Sequence, residues 1–494
     1  MGGPDGWSPP RSRGTESGSQ ADSFAHFVAR WQLMKLYAAP LDFRSIAREF
    51  DVRTGFAPEL HTQAAQLKDR FAGSRIDARS VPLVTIDPAG SMDLDQAVHI
   101  ERRAGGGFVV RYAIADVAAF VAPGSSVAEE SLERGQTIYL PDEPARLHPE
   151  ELSEGSASLL PEVDRPAVLW TFELDDAGEV DVAHVERALV RSVARLDYEG
   201  VHADMQAGTV HPSIALLEEV GRLRQQSSLR RHAVNLRLPS VRVVGDGGTF
   251  ELVIEPRHPV MDYNSEISLL TGMVAGRMMV DAGVGFLRTL GPADASGEAE
   301  FRREVGNLGY QVAGDIGEFL ASVDADTPRG IVVMREAQKL LRGSGYVDLS
   351  AGEPEVHAGI GGYYSHVTAP LRRLVDRYAT EVCLAICAGT EVPEWVKRDA
   401  PRVMKTMGRS SQLANTVEKA CLHLTEATVL EPWVGHNFDG VALKTGEDAA
   451  RVFIVDPPVL APSTGAPEEG SETKFSLVRA DPAAREVGFA WPAD

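Results

Sequence analysis

Apolar residues set the periods along this chain. Phe27, Val28, Trp31, Met34, Leu36 and Tyr37 recur at near-helical spacing, which predicts helix from Phe24 toward Phe71. Within that stretch, Asp42 to Phe50 reads as an amphipathic helix capped by Asp42. The region has two readings, a helix-turn-helix-like module or a plain cap on a larger domain. Ahead of it, residues 1–23 are rich in Gly, Pro, Ser and Arg with no apolar period, which predicts disorder. From about residue 80 to 185 the pattern becomes strand-rich. Val81, Leu83, Val84 and Ile86 form one run, Phe108 to Val117 another, and Asp175-Asp176-Ala177-Gly178-Glu179 a hairpin turn.

Residues 210–232 return to a helical period through Ile214, Leu217, Val220 and Leu223. A strand pair broken at Gly245-Asp246-Gly247-Gly248 comes next. A helix over 264–283 then places Gly272 and Gly276 four apart, which permits close packing. Helices are predicted to dominate 300–345 and 366–430. From about 432 onward, Phe438 to Leu443 and Ala450 to Val455 alternate like short strands between Pro, Gly and acidic residues.

Composition narrows the class. The chain has 494 residues, 44% hydrophobic and 24% charged, as in ordinary globular proteins. No apolar run reaches membrane-span length, and the first residues hold no apolar signal core. Three cysteines, Cys383, Cys387 and Cys421, are too few for a disulfide framework or a zinc cage. Buried free thiols in a reducing cytoplasm are expected. A net charge of −22 speaks against nonspecific clinging to nucleic acid, while a cleft can still focus the opposite sign.

The densest chemistry lies at Thr85-Ile86-Asp87-Pro88-Ala89-Gly90-Ser91-Met92-Asp93-Leu94-Asp95-Gln96-Ala97. Asp93 and Asp95 share one side of any extended backbone, and the turn can fold Asp87 back toward them. Clustered carboxylates repel unless a cation neutralises them. Hard oxygens suit Mg²⁺, which keeps waters for a phosphate to replace, so the cluster reads as a metal site for phosphodiester chemistry. A solvated acidic loop is the competing reading. Against it stand the apolar flanks, since charge inside a β core is costly.

This segment resembles the catalytic domain of the ribonuclease II and ribonuclease R family of RNB-domain exoribonucleases. Further matches follow in order: Ala113-Ile114-Ala115-Asp116-Val117, Tyr139-Leu140-Pro141, Leu152-Ser153 with Ser158-Leu159, Tyr364 to Arg373, and the helix carrying Glu418. The resemblance spans roughly residues 80–430. It implies an α+β fold in which a mixed sheet surrounded by helices forms an RNB catalytic domain at 76–430. A disordered tail at 1–23, a small helical region at 24–75 and a small, OB-like β-barrel at 431–494 complete the expected layout. The barrel is expected to be small or degenerate, because the segment is short and acidic. The N-terminal region is too short for the cold-shock barrels of better-known members.

The resemblance also implies roles. Asp87, Asp93 and Asp95 match the first aspartates of the family metal site, with Asp95 the one on which catalysis most depends. Where the family has a fourth aspartate this chain has Gln96, an uncharged ligand that implies weaker metal affinity or the loss of one metal. Tyr139 follows Asp95 by 44 positions, as the family spacing requires, and its ring would stack on the terminal base. Leu236 falls where a second aromatic clamp is usual. Arg372, with Arg373 beside it, falls in the segment whose arginine stabilises the phosphate. Glu266 and Glu418 align with glutamates near the 3′ nucleotide, where a carboxylate reads the ribose hydroxyl. His366 is expected to be scaffold, and Tyr363, Tyr364 and His357 to line the channel floor or serve packing.

The implied activity is Mg²⁺-dependent hydrolysis of single-stranded RNA from its 3′ end to nucleoside 5′-monophosphates, with Mn²⁺ as a substitute metal. No nucleotide cofactor and no membrane partner are expected, and a monomer is. A catalytically weakened RNB-fold RNA-binding protein is the alternative, supported by Gln96, Leu236 and the acidic balance. A further rival is an unrelated metal-dependent DNA nuclease or phosphoesterase, and a third, weaker one is a DNA-tethered regulator using the N-terminal helices. Low basic content in those helices counts against the last.

Overall fold

The computed structural model describes residues 41–237, 241–246, 249–254, 258–325 and 327–493. The tail expected at 1–23 and the helical run through Tyr37 lie outside them. Strands β1 (Ile76–Asp77), β2 (Leu83–Asp87), β3 (Gln96–Arg102), β4 (Phe108–Ala115), β5 (Asp164–Leu174) and β6 (Val180–Asp197) form one sheet in the order β1-β6-β2-β3-β4-β5. β6 is 18 residues long. Its first part runs antiparallel to β5 and its last residues run parallel to β2, so the sheet turns back on itself. The expected turn at 175–179 is the β5–β6 hairpin.

Both faces of the sheet are covered, which is why its strands read as near-continuous apolar runs. One face carries Val84, Tyr112, Trp170 and Phe172 against helices Leu217–Arg230, Pro259–Ala282 and Leu374–Ala388. The other packs Leu83, Ala113, Leu169 and Val190 with Leu94, Leu152, Leu159 and Leu371. Leu94 and Leu371 belong to the two segments that carry the candidate chemistry, so the core itself fixes those segments.

Helix Pro259–Ala282 starts with Pro at its first position and ends at Gly283 in the left-handed region, φ +67. Its small-residue face seats on the strand-like segment 363–365. A Cβ on Gly276 would stand 2.7 Å from the Tyr364 backbone N, and one on Gly272 2.7 Å from the Ser365 carbonyl. The Ser365 N–H donates to the Gly272 carbonyl at 2.9 Å. Close packing at this glycine pair therefore holds the approach to Arg372.

The hairpin β7 (Val241–Asp246) and β8 (Thr249–Ile254) matches the expected strand pair. β9 (Phe286–Pro292) and β10 (Leu341–Asp348) form an antiparallel pair where a helical reading of 300–345 had no strand. Helices Ala295–Asn307, Ile316–Ser322 and Pro328–Ala337 fill the interval between them. β10 is dictated by its distant partner and carries a register shift beside Gly343, so no local period announces it.

Helix Glu394–Leu430, 37 residues long, leads onto a closed barrel of β11 (Asn437–Thr445), β12 (Ala449–Ile454), β13 (Val459–Thr464), β14 (Glu472–Asp481) and β15 (Glu486–Ala490). The barrel is small but not degenerate. It closes around Phe438, Val452, Ile454, Phe475, Leu477 and Phe489. The described N-terminal helices, Arg44–Glu49 and Pro58–Ala65, enter different cores. Phe43 and Ile46 join the barrel cluster, with Phe43 edge-on to Phe250, whereas Ala64 joins the sheet. They cap two parts of the molecule and do not form a paired unit. The cap residue of the first is Phe43; Asp42 accepts from the Arg44 N–H just outside it. Among the described residues no helix is long and apolar enough to cross a membrane, and all three cysteines are free.

Candidate active site

The site grows from the end of β2. Thr85 and Ile86 are buried and Asp87 is the last strand residue. A turn through Gly90, φ +87, then returns the chain in an extended run toward β3. Leu94 is fully buried in the core, so alternation points Asp93 and Asp95 to the opposite side. Ser158 and Leu159 pin this run. Leu94 N–H donates to Ser158 Oγ at 3.0 Å, Ser158 Oγ donates to the Met92 carbonyl at 2.6 Å, and Leu159 N–H donates to the Leu94 carbonyl at 3.0 Å. They follow a π turn at Glu151–Ser156, a wide helical form frequent near functional sites.

The segment 366–376 forms a second wall. Leu371 N–H donates to Asp95 Oδ1 at 2.8 Å, and Arg372 Nε lies 3.6 Å from Asp95 Oδ2. The Arg372 side chain is 46% exposed while that of Asp95 is 6% exposed, so the guanidinium stands at the mouth over a buried carboxylate. Tyr139 supplies the third wall. Thr137 N–H donates to the Arg372 carbonyl at 2.9 Å and Gln136 bridges Arg373, which brings the Tyr139 hydroxyl beside Asp93. The ring is 54% exposed.

Burial governs the charges. It raises Asp95 well above the usual carboxylate range, with Arg372 and the Leu371 N–H pulling the other way. Asp87 is pushed up to about 6 by burial and by Asp93, against Arg372. Asp93 is raised by burial, and Glu154 adds to this while Arg372 and Arg146 oppose it. Although Tyr139 as a whole is exposed, desolvation at its hydroxyl end, with Asp93 adding and Arg372 opposing, raises the phenol above its ordinary value. One guanidinium thus serves as counter-charge to three carboxylates.

Asp87 Oδ2 is buried with no hydrogen-bond partner. An orphaned, desolvated carboxylate oxygen among mutually repelling neighbours fits a hard divalent cation. Asp87 and Asp93 could hold one, with Asp95 behind them. Among the described residues no three His, Cys, Asp or Glu side chains converge on one point, so holding an ion here would need the carboxylates to turn inward.

Other expected site residues lie elsewhere. The Gln96 oxygen accepts from the Tyr112 hydroxyl and its Nε2 donates to the Thr368 carbonyl at 2.8 Å. The Ser268 hydroxyl bonds the Thr368 hydroxyl at 2.9 Å and also Tyr112, which closes a ring of four residues that runs through the Thr368 backbone. The amide therefore links β3 to the Arg372 segment, with its oxygen engaged by the Tyr112 hydroxyl. Arg373 is likewise spent: it pairs with fully buried Asp376, whose Oδ1 also accepts from Ala369 N–H at 2.7 Å.

Leu236 is half-buried against the cluster of Phe301, Leu320 and Phe453. Its environment is that packing, and no described contact brings it to the carboxylates. Glu266 is buried on its helix and pushed up to about 7 by burial, with Arg224 and Arg231 opposing. Glu418 is exposed, next to Val417, which shares a cluster with Ile138 and Leu140; it borders the Tyr139 segment. His366 bonds Tyr346 at 2.9 Å and is held neutral by burial and by Arg373, as scaffold should be. Sequence reasoning missed Arg146 and Glu154, paired at 2.6 Å beside Asp93. They meet across an irregular turn, so no period signals them. Ser158 could have been found, since it sits inside a matching segment.

Residues 75–386 match the model of the RNB domain. The chain belongs to the RNB-domain family. Residues 436–491, the closed barrel, match the RNase II-type exonuclease C-terminal S1 domain. Ribonuclease R of Chlamydia pneumoniae is 25% identical over 355 residues, 68% of this chain and 52% of that protein. The chain spans about half the length of that curated relative. Mycoplasma genitalium RNase R superposes in its apo form with a TM-score of 0.82 at 17% identity, covering 91% of this chain and 77% of that one. Its complex with ribose methylated single-stranded RNA superposes at 0.81 with the same identity and coverage. Yeast Ssd1, a pseudonuclease, superposes at 0.71 with 15% identity over 90% of this chain and 57% of its own.

Proposed function

We propose that this RNB-domain chain is a Mg²⁺-dependent exoribonuclease that releases nucleoside 5′-monophosphates from the 3′ end of single-stranded RNA. The observation that carries the reading is Arg372 poised at 3.6 Å over buried Asp95, in one site with Asp87 and Asp93. Asp87 and Asp93 would hold Mg²⁺, or Mn²⁺ in its place, with Asp95 completing the acidic wall. Bound there, the ion supplies charge neutralisation at the phosphoryl group and acidifies water.

The chain's own residues do the rest. Asp95, fixed by the Leu371 N–H, holds Arg372 at the mouth until a phosphate offers two oxygens to the guanidinium fork. There the arginine meets the charge that develops on phosphorus. The exposed Tyr139 ring offers its face to the terminal base. Buried Glu266 accepts from a ribose hydroxyl, favouring RNA over DNA. The Gln96 ring keeps the Arg372 segment in register with β3. A monomer working in the cytoplasm, without a nucleotide cofactor, completes the reading; the free cysteines suit a reducing compartment. Support also comes from the likeness to an RNase R in complex with ribose methylated single-stranded RNA.

A second reading, RNA binding with weakened catalysis, draws on Gln96. Its oxygen is engaged by Tyr112 where the family has a charged ligand, and a pseudonuclease shares the fold. A time course on 5′-labelled RNA with and without Mg²⁺, beside a DNA of the same sequence, separates the two. The enzyme shortens the RNA from its 3′ end only with metal and leaves the DNA intact. Binding without shortening at any metal concentration would establish the second reading.

A further inference from the structure

Tyr139 lies on a short run that is paired on both sides. Gln136 bridges Arg373 antiparallel, which sets Thr137 opposite Arg372, and Ile138 bridges Ala145 antiparallel, which sets Thr137 opposite Arg146 as well. The Thr137 N–H donates to the Arg372 carbonyl at 2.9 Å, and Ile138 and Ala145 exchange N–H···O bonds at 3.0 and 2.8 Å. Side chains directly opposite one another share a face, as do alternate residues along one run. Arg372, Thr137, Tyr139 and Arg146 therefore share one face of this small sheet. The other face holds Ile138, Ala145, Leu147 and Leu371, all buried, so the arginine face is the one turned to the cleft. Arg146 stands two inter-strand spacings from Arg372, roughly 10 Å, with Tyr139 on the run between them.

Two carboxylates hold Arg146 in place. Glu154, from the π turn Glu151–Ser156, takes its Nε at 2.6 Å, and Glu150 lies 2.9 Å from its Nη1. No hydrogen bond from its Nη2 is formed among the described residues. Arg134 fixes the backbone, its Nη1 donating to the Arg146 carbonyl at 3.1 Å. The third carboxylate nearby is Asp93, which feels both Glu154 and Arg146 and is a metal-holding residue in the reading above. The two pairs differ in strength. Glu150 is 56% exposed, and an exposed ion pair is weak, so a more highly charged anion displaces it. Glu154, 26% exposed, stays as the strut that aims the guanidinium.

We propose that Arg146 is the seat of a 3′-terminal phosphate, so that the chain takes RNA ends bearing a phosphomonoester as well as ends bearing a hydroxyl. The inference rests on the exoribonuclease reading above. There Arg372 meets the scissile phosphate and Tyr139 the terminal base. The next position along the row lies past the last ribose, where only a group on its 3′ oxygen reaches. A phosphomonoester carries a charge of about −1.5 to −2 near neutral pH and three acceptor oxygens, more than Glu150 offers, and a guanidinium fork matches two of those oxygens. The cleavage chemistry is the same for either end. Water adds to the phosphorus on the 5′ side of the last nucleoside and the bond from that phosphorus to the preceding 3′ oxygen breaks. That oxygen takes up the proton that the water loses. The first product is then a nucleoside 3′,5′-bisphosphate, and every later one is a nucleoside 5′-monophosphate.

The test uses the full chain with Mg²⁺ and one RNA prepared with either a 3′-hydroxyl or a 3′-phosphate, timing the first cleavage and identifying the released nucleotide by chromatography. The parent should cleave both and release a nucleoside 3′,5′-bisphosphate from the second. Arg146→Gln should lower kcat/KM for the phosphate end relative to the hydroxyl end by about tenfold or more, and Arg146→Lys should restore part of that ratio. An unchanged ratio, with both ends losing alike, would make Arg146 a structural strut and overturn the proposal. A parent that degrades the hydroxyl end and leaves the phosphate end intact would overturn it too, with the exoribonuclease reading still standing. A parent that cleaves neither end fails that reading instead, and binding then decides the seat. Greater thermal stabilisation by adenosine 3′,5′-bisphosphate than by adenosine 5′-monophosphate, present in the parent and lost in Arg146→Gln, sustains it; no difference between the two chains removes it.

Discussion

Arg372 and Arg373 are adjacent and chemically identical, yet they face different fates. Arg373 is bound by fully buried Asp376, and Arg372 stands over Asp95 with nearly half its side chain in solvent. The difference comes from one turn of helix Leu374–Ala388, whose first-turn aspartate also takes the Ala369 N–H. Arg372→Ala should therefore lower kcat by about a hundredfold or more with a smaller change in KM; a loss confined to KM would make Arg372 a docking residue. Gln96 teaches the same lesson. Its position was legible, but its hydrogen-bond partners were not, because Tyr112, Ser268 and Thr368 come from other elements. Gln96→Ala removes the side-chain donor to the Thr368 carbonyl and leaves the buried Tyr112 hydroxyl with Ser268 alone, and should destabilise the fold by about 1–3 kcal/mol in urea titration. An unchanged midpoint would mean that water replaces the amide at no cost.

Elements were legible where their period was local. The β5–β6 turn, the β7–β8 hairpin and helix Pro259–Ala282 appear where apolar spacing put them. β10 was not legible, because its partner β9 lies about fifty residues earlier and pairing of distant strands leaves no local mark. Gly272 and Gly276 show an element-level feature read correctly from spacing alone. With 2.7 Å available to a Cβ at Gly276, Gly276→Ala must push the helix off Tyr364 or shift its backbone. The expected cost is about 1–3 kcal/mol, together with a drop in kcat as the Arg372 segment moves. A variant as stable and active as the parent would show that the helix face has slack.

At the scale of the whole molecule, helix Glu394–Leu430 joins catalytic domain and barrel through a core that includes buried Glu426, 5% exposed. Burial pushes this carboxyl up to about 8, with the Leu460 N–H and Arg451 opposing. Its folded pKa lies above its unfolded value, so the folded state holds the extra proton. The stability it contributes is complete below about pH 4.5 and is lost as pH rises toward 8. The loss should be on the order of 2–4 kcal/mol across that window, read as a falling urea midpoint. Glu426→Gln should flatten the slope; an identical slope in the variant would assign the pH dependence to other groups. Net charge also belongs to this scale. At −22 it is a sum over the whole chain and does not show that one guanidinium, Arg372, faces three carboxylates in one cleft.

The central claim is that the acidic wall around Asp95 performs chemistry on RNA beyond holding it. The most direct measurement compares the parent chain with Asp95→Asn on one 5′-labelled single-stranded RNA, recording binding by anisotropy in EDTA and mononucleotide release with Mg²⁺. The account predicts affinity within about threefold of the parent and turnover reduced about a hundredfold or more. Release at the parental rate by Asp95→Asn, or a parent chain that binds RNA and releases no mononucleotide with either Mg²⁺ or Mn²⁺, would contradict it.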